Sequence, residues 1–170
     1  MVSLMRLFRR EEPVADKLYR ALVERARDPN WYVAGEVPDT LEGRFSMLAT
    51  LLALTDVRLE RGGEAARFAS VSLAEAFIGD MEAQHRQLGT GDPVMGKKVG
   101  GLVGALGGRI GAWRRAVDGE ESWTAVAARS VYRGAAKNAD ALDYAERRLR
   151  DFWAGLEASP DEALIAGRLL

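Results

Sequence analysis

Apolar side chains recur every three or four residues along most of this chain, and that spacing places them on one face of an α-helix. A first helix is predicted from 13 to about 28, because proline is tolerated in a first helical turn. The segment 40–61 is apolar around most of its circumference, which is typical of a central, buried helix. Gly62 and Gly63 end it. We therefore predict that 40–61 is the core helix.

The same pattern predicts further helices after the core helix. One spans about 64–88, and its apolar side is predicted to include Phe68, Val71 and Phe77. A glycine-rich helix follows over 96–115, and shorter patterns after Ser122, Asn138 and Pro160 predict three more. Trp31 and Tyr32 are predicted to cover the core from an irregular segment.

No stretch alternates with the period of two that a β-strand requires, and no repeat of 20–50 residues is evident. The expected fold is therefore all-α, a single compact helical domain of about six to seven helices. That domain is expected to cover 13–170, after a flexible basic and apolar N-terminal segment, 1–12. The apolar run in the first ten residues is too short for a signal peptide or a membrane span. As a helix, this segment would put Leu4, Leu7 and Phe8 on one side and its arginines on another, as in a weak interfacial anchor, and a frayed terminus is the alternative.

Glycine is unusually dense in the helix 96–115, where each glycine lowers intrinsic helix stability by roughly 1 kcal/mol relative to alanine. Five of these glycines recur at helical spacing and form what we call the glycine stripe: Gly100, Gly104, Gly107, Gly108 and Gly111. Such a stripe lets a second helix approach closely. The pattern leaves two interpretations open, a neighbouring helix of the same chain or a surface for a partner.

Positive charge is also concentrated in this helix, because no acidic residue lies between Pro93 and Val117 to balance its cations. Those cations are Lys97, Lys98, Arg109, Arg114 and Arg115. The basic helix 96–115 could therefore contact anionic lipid headgroups or acidic loops.

Composition excludes several classes of function. The chain of 170 residues has no cysteine, which rules out disulfides, thiol catalysis and thiolate metal sites. A net charge of −1 argues against a globally basic nucleic-acid-binding protein. The single histidine, His85, lacks the paired ligands of a metal site and is interpreted as a structural or surface residue. No recognisable spacing of carboxylates suits acid–base catalysis, so no enzyme activity and no cofactor are expected.

The segment 91–98 nearly matches the phosphate-binding loop motif G-x-x-x-x-G-K-[ST]. Lys98 occupies the position where a hydroxyl should bind magnesium, and the preceding segment is a predicted helix rather than a strand. An anion- or nucleotide-binding helical protein that uses this degenerate loop is therefore the weaker alternative.

Two blocks of the sequence resemble the ubiquinol–cytochrome c chaperone family, and the similarity extends from about residue 13 to 155. The first block is VPDTLEGRF at 37–45. The second block consists of Phe77, Asp80, Met81, Arg86, Gly89, Gly91, Asp92, Gly96, Lys97, Lys98 and Val99. The resemblance implies a helical, non-enzymatic protein without a cofactor, which assists newly made cytochrome b during assembly of the respiratory cytochrome bc complex. It would act in the cytoplasm or peripherally at the inner face of the membrane.

The resemblance also implies candidate contacts with that client. The motif positions are Asp80, Arg86, Gly91, Asp92, Gly96, Lys97 and Lys98. Gly104 of the glycine stripe and Arg109 of the basic helix complete the set. Structural roles remain open for some of them: Gly91 and Gly96 could serve a turn, Asp92 could cap a helix, and Asp80 could pair with Arg86 or Lys97.

Overall fold

The computed structural model describes residues 14–89 and 91–170, without the side chains of Asp92 and Pro93, and all regular secondary structure in this part of the chain is α-helical. The helices are α1 (Asp16–Ala26), α2 (Pro29–Val33), α3 (Leu41–Glu60), α4 (Glu64–Gln87), α5 (Asp92–Val117), α6 (Trp123–Tyr132), α7 (Ala139–Ala158) and α8 (Asp161–Ile165). α2 and α8 are single short turns, and the other six form the body of one domain. The predicted all-α fold is confirmed, while the predicted N-terminal segment 1–12 lies outside the described residues.

α3 is the centre of the domain and packs against α1, α4, α5, α6 and α7. Every residue from 46 to 57 is buried, and Leu51, Leu52 and Leu54 are fully enclosed. A helix surrounded in this way has no wide polar face, which explains its nearly uninterrupted apolar sequence. The prediction of a central helix over 40–61 is therefore confirmed.

The turn that leads into α3 explains part of the first sequence block. The side-chain oxygen of Thr40 accepts a hydrogen bond from the Gly43 backbone N–H at 3.1 Å, which caps the helix. A Cβ atom placed on Gly43 would lie only 1.8 Å from the carbonyl oxygen of Pro38. Glycine is therefore required where the chain folds back on itself at this turn.

The far end of α3 is tied to α7 and α8 by one arginine. Arg58 donates to the carbonyl oxygens of Leu156, at 3.1 Å, and Ser159, at 2.8 Å. It also pairs with Asp161 at 2.9 Å. Carbonyl groups that the end of α7 leaves without helical partners are thereby satisfied.

A carboxyl group is buried between α3 and α4. Ser70 Oγ donates a 2.6 Å hydrogen bond to Asp56 Oδ1, and both side chains are almost entirely inaccessible to solvent. Burial raises the pKa of Asp56 from 3.8 to about 6, although the Ser70 hydrogen bond opposes the change. The core therefore contains a group that titrates near neutral pH.

Two sequence predictions about the core are wrong. Trp31 and Tyr32 lie in α2 rather than in an irregular segment, because Asp28 caps this short helix by accepting from the Asn30 N–H. Phe68 and Val71 are 60% and 58% exposed rather than part of the apolar side of α4. The buried side of α4 is formed instead by Ala66, Ala69, Leu73, Phe77 and Met81. Alanine at its first two positions lets α4 lie close to α3.

None of the helices in the described part of the chain combines the length and the apolar character needed to cross a membrane.

Candidate functional site

The predicted glycine-rich helix is α5, and it begins earlier than expected, at Asp92. One side faces the core through Met95, Leu106 and Trp113, all of which are buried. Trp113 also packs edge-on against Trp123, with 5.1 Å between ring centroids. These contacts attach α5 to α3, α4 and α6.

The glycine stripe lies on the side of α5 that is turned away from the core. A Cβ atom added at Gly100, Gly104, Gly107 or Gly108 would meet nothing within 4 Å, and the same holds for Gly96. At Gly111 the nearest atom belongs to Arg115 of the same helix. No neighbouring helix in the described part of the chain therefore uses the stripe, so internal packing against those helices is excluded.

Apolar and cationic side chains accompany the glycines on this open side. Val94 and Val103 are about half exposed, and Lys97 and Lys98 are exposed between them. Arg114 and Arg115, farther along, are committed to structural ion pairs with Glu60 and Glu121. The open part of α5 is thus basic, apolar and nearly free of bulk over three turns.

The phosphate-loop-like segment does not have the geometry of a phosphate-binding loop. The chain is helical from residue 92 onward, and the N–H groups of Val94 and Met95 already donate to the carbonyl oxygen of Gly91, both at 3.1 Å. The element before it is helix α4 rather than a strand. Gly91 occupies the N-cap position instead of the expected Asp92, whose side chain lies outside the described residues.

Asp80 has a different partner from the predicted ones. Its carboxylate accepts a 2.6 Å hydrogen bond from the Tyr19 hydroxyl, which links α4 to α1. Burial and this carboxylate raise the pKa of Tyr19. Arg86 pairs with Glu82 one turn away on the exposed side of α4, at 2.7 Å. The expected pairing of Asp80 with Arg86 or Lys97 is therefore wrong, since Tyr19 takes the carboxylate.

A cavity of about 630 Å³, which we call the α5 cavity, opens between the ends of α1, α3 and α4 and the middle of α5. Its walls are mainly apolar and include Val23, Phe45, Leu48, Met81, Leu88 and Leu102. Leu41 and Leu88 stand at its edge with more than half of their surface exposed. Both Asp80 and Arg109 line it, so two of the predicted site residues belong to one cavity although 29 positions separate them in sequence.

Arg109 is the cation in the wall of the α5 cavity. Its guanidinium carbon lies 5.5 Å from the centre of the Phe45 ring, and Nη2 reaches the Ser130 carbonyl oxygen only at 3.5 Å. Nε is buried and has no hydrogen-bond partner among the described residues. Burial and the positive charge of Arg133 both lower the pKa of Arg109. The site therefore holds a positive charge that no acidic side chain pairs with among the described residues.

The other arginines around this cavity are neutralised by nearby carboxylates. Arg27 pairs with Glu24 at 3.2 Å, Arg44 with Asp39 at 2.7 Å, and Arg133 with Glu42 at 2.7 Å. These side chains lie at the exposed edge, where ion pairs are screened by solvent. Arg109 differs from them in its depth and because no acidic partner pairs with it in the part of the chain that the structure describes.

Sequence reasoning did not find the α5 cavity, because its walls come from four helices whose relative positions no local pattern encodes. The exposed leucines gave no signal either, since Leu41 and Leu88 match the apolar rhythm of their helices. The described residues contain no cluster of three or more side chains suited to metal binding, and His85 stands alone beside the cavity.

Comparison with known proteins agrees with this architecture. No curated protein sequence matches the chain. The crystal structure of the Cbp3 homolog from Brucella abortus superposes with a TM-score of 0.79 and 27% sequence identity, covering 97% of this chain and 94% of the other. The family model described as ubiquinol-cytochrome C chaperone matches residues 34–170. That match includes both sequence blocks, the α5 cavity's α3, α4 and α5 walls, and the whole glycine stripe. The chain therefore belongs to the ubiquinol-cytochrome C chaperone family.

Proposed function

We propose that this protein is a non-enzymatic assembly chaperone that binds newly made cytochrome b during assembly of the respiratory cytochrome bc complex. Family membership supports the chaperone role, and the similarity to a Cbp3 homolog supports it over nearly the whole chain. The observation that carries the proposal is the glycine stripe, which lies open along the outer side of α5.

The glycines of α5 lower its helix stability, and this cost favours a role in binding a partner rather than in packing within the fold. Each glycine weakens the helix by up to roughly 1 kcal/mol relative to alanine, and close internal packing does not compensate for that loss in the described structure. A helix of the client could recover it, because small residues allow two backbones to approach and gain dispersion contacts. We therefore assign the client contact to Gly96, Gly104 and the open side between them.

Charge would orient the client on this surface. Lys97 and Lys98 extend from the open side of α5 beside Val94. Their positive charges would attract an apolar client helix that has acidic residues at its ends, or that lies next to anionic lipid headgroups. Gly91 would contribute by starting α5, Arg86 and Asp92 would contribute near its N-terminal end, and Asp80 would contribute from the wall of the α5 cavity. This arrangement would put the protein peripherally at the inner face of the membrane, with the segment 1–10 as a second, weak contact.

Catalysis and cofactors are not part of the proposal. The chemistry of a nucleotide hydrolase would require a loop at 91–98, where the backbone is already committed to the helix. Calorimetric titration with ATP and magnesium should give no heat of binding. An ATPase activity that purifies with the protein and disappears in Lys97→Ala would contradict the non-enzymatic assignment.

The proposal is tested by recovering the tagged protein from its own membranes and probing for cytochrome b. Cytochrome b should co-purify with the native protein and should be lost with Gly104→Leu, whose added side chain occupies the open side. Recovery of equal amounts with both proteins would remove the glycine stripe from the contact, and failure to recover cytochrome b with the native protein would contradict the function itself.

A further inference from the structure

Arg109, in the wall of the α5 cavity, has no paired counterion in the described part of the chain, and this suggests what enters the cavity. Arg109 is partly buried against Phe45, and no acidic partner lies within ion-pair distance among the described residues. Asp80, which lines the same cavity, accepts a 2.6 Å hydrogen bond from the neutral Tyr19 hydroxyl and forms no ion pair with Arg109, whereas Glu42 pairs with Arg133 at 2.7 Å. A cation taken out of water without a counterion is unfavourable, and a bound anion would remove that penalty.

The apolar walls of the cavity favour an anionic group that belongs to a larger, mainly apolar ligand. Phe45, Met81 and Leu102 would remain in contact with water if only a small inorganic ion bound. An apolar ligand would cover these side chains, and the burial of apolar surface would contribute favourably to its binding free energy. Leu41 and Leu88 extend the apolar surface to the edge. A volume near 630 Å³ accommodates several side chains rather than a folded partner.

The cavity is continuous with the open side of α5, and this continuity favours a helix as the carrier. Ala105 and Arg109 line the cavity, one turn apart, whereas Gly101 and Gly108 lie beside them on the same helix, where an added Cβ would meet nothing within 4 Å. A helix resting on these glycines would approach closely enough for its side chains to enter the cavity beside Ala105. A single acyl chain would need no such open surface outside the cavity.

We propose that the α5 cavity receives a carboxylate side chain on an apolar helical segment of the client, with Arg109 as the residue that selects it. The inference rests on the proposed function for the identity of the client, and it adds a chemical requirement that the glycine stripe alone does not impose. The guanidinium offers two parallel N–H donors to a carboxylate, a geometry that an amide side chain of the same shape cannot match with equal strength.

Two synthetic peptides test this selection on the purified full-length protein. Each is a labelled helix of about 20 residues, the length of a membrane span, with lysines at both ends, an apolar middle and either one central glutamate or glutamine in its place. Fluorescence anisotropy should show the glutamate peptide binding at least about tenfold more tightly, the difference expected of one charge-assisted contact. Equal affinities on the native protein would overturn the proposal without any variant.

Two variants test whether the α5 cavity is the place where the protein distinguishes the glutamate peptide from the glutamine peptide. Arg109→Gln should bind both peptides alike, and Ala105→Trp, which fills the cavity from an exposed position, should weaken binding of the glutamate peptide. The matched control is Arg67→Gln, which removes one positive charge from an exposed position near the opposite end of α4 and should keep the full discrimination. Discrimination that persists in both Arg109→Gln and Ala105→Trp would place the selecting group elsewhere and overturn the assignment.

Binding of dodecanoate, measured in the same way, tests whether the cavity takes a lipid instead. Binding of dodecanoate that depends on Arg109, together with no binding of the glutamate peptide, would show that the cavity takes a fatty acid and that the proposal is wrong. Failure of the function is separable as well: peptide discrimination without recovery of cytochrome b would uphold the cavity and contradict the client. Recovery of cytochrome b without discrimination would uphold the client and contradict the cavity.

Discussion

The guanidinium group of Arg109 lies over the ring of Phe45, with 5.5 Å between the guanidinium carbon and the ring centre, and the other contact that the described residues give its charge is a long hydrogen bond of 3.5 Å to the Ser130 carbonyl oxygen. A cation–π contact is worth about 0.5–2 kcal/mol, which is less than the cost of removing a guanidinium from water. We therefore expect Arg109 to lower the stability of the folded protein, as residues of functional sites commonly do.

Replacing Arg109 should accordingly stabilise the protein. Arg109→Met keeps the length and the apolar stem of the side chain and removes the uncompensated charge, so the free energy of unfolding should rise by about 1 kcal/mol. Thermal unfolding should show a melting temperature higher by roughly 2–4 °C for a domain of this size.

Arg148 provides the matched control for this prediction. It also lies over an aromatic ring, that of Trp31 at 4.4 Å, but it pairs with Asp28 at 2.7 Å. Arg148→Met should lower the melting temperature, because the Asp28 carboxylate would lose its partner. If both substitutions shift stability in the same direction, the missing acidic partner does not explain Arg109.

The glycine stripe leads to opposite predictions for two glycines. Gly104→Leu should leave the fold intact or slightly stabilise it, since its Cβ meets open space and leucine has the better helix propensity. Gly43→Ala should destabilise the protein strongly, because the added atom overlaps the Pro38 carbonyl oxygen. Circular dichroism melting curves of the two variants measure both effects, and a collapse of Gly104→Leu would show that the stripe packs internally after all.

The buried carboxyl of Asp56 predicts how stability depends on pH. Its pKa in the folded protein, about 6, exceeds the ordinary value of 3.8, so the folded state holds the proton more tightly than the unfolded state does. This group therefore makes the free energy of unfolding fall as pH rises from about 4 to about 6. Above that range its contribution is constant.

Asp56→Asn removes this titration while it keeps an oxygen to accept the Ser70 hydrogen bond. The variant should be more stable than the native protein at pH 7.5 by about 1–3 kcal/mol, and the difference should shrink toward pH 4. Urea unfolding at several pH values measures the difference directly, so the contributions of the surface carboxylates cancel. A stability difference that is independent of pH would mean that Asp56 does not titrate in this range.

The central helix could be predicted from sequence because its evidence is local. An apolar circumference over 40–61 specifies burial whatever the neighbours are, and the glycines after it specify its end. The sides of α4 could not be assigned in the same way. Phe68 and Val71 are apolar but point outward, because the alanines at 66 and 69 permit the closer approach to α3 and so decide which side is buried.

The same distinction applies to the candidate site, where features of a single helix could be predicted and contacts between helices could not. The composition of α5 could be predicted from sequence, including its glycines and its excess of positive charge, because both belong to a single helix. The partners of Asp80 and Arg109 could not, because Tyr19 and Phe45 come from helices whose crossing positions depend on the whole core. The exposure of the stripe likewise required knowledge of where the neighbouring helices end.

Core packing supplies a direct test of the helix assignments. Leu52→Ala should lower the free energy of unfolding by about 2–5 kcal/mol, because a fully buried side chain leaves a cavity in α3. Phe68→Ala should change it by less than about 0.5 kcal/mol, since this larger side chain is mostly in water. Denaturant titration compares them, and a reversed order would mean that α4 turns a different side toward α3.

Two lysines, Lys97 and Lys98, lie beside the glycine stripe. Both are exposed near the start of α5, so they should act on the client through long-range attraction rather than through buried contacts. Lys97→Glu combined with Lys98→Glu should therefore weaken recovery of cytochrome b at low salt and have less effect near 1 M salt, where the screening length is only about 3 Å.

The control must change the net charge equally at a distance from α5. Lys137→Glu with Arg147→Glu does so at two exposed positions, one just before α7 and one near its middle. If attraction is local to the glycine stripe, this control should retain the client at every salt concentration. Equal losses in the two double variants would attribute the effect to the net charge of the protein, and unchanged recovery in the first would exclude the lysines from client binding. Only a salt-sensitive loss confined to the α5 variant supports the basic side of this helix as the place where the client first docks.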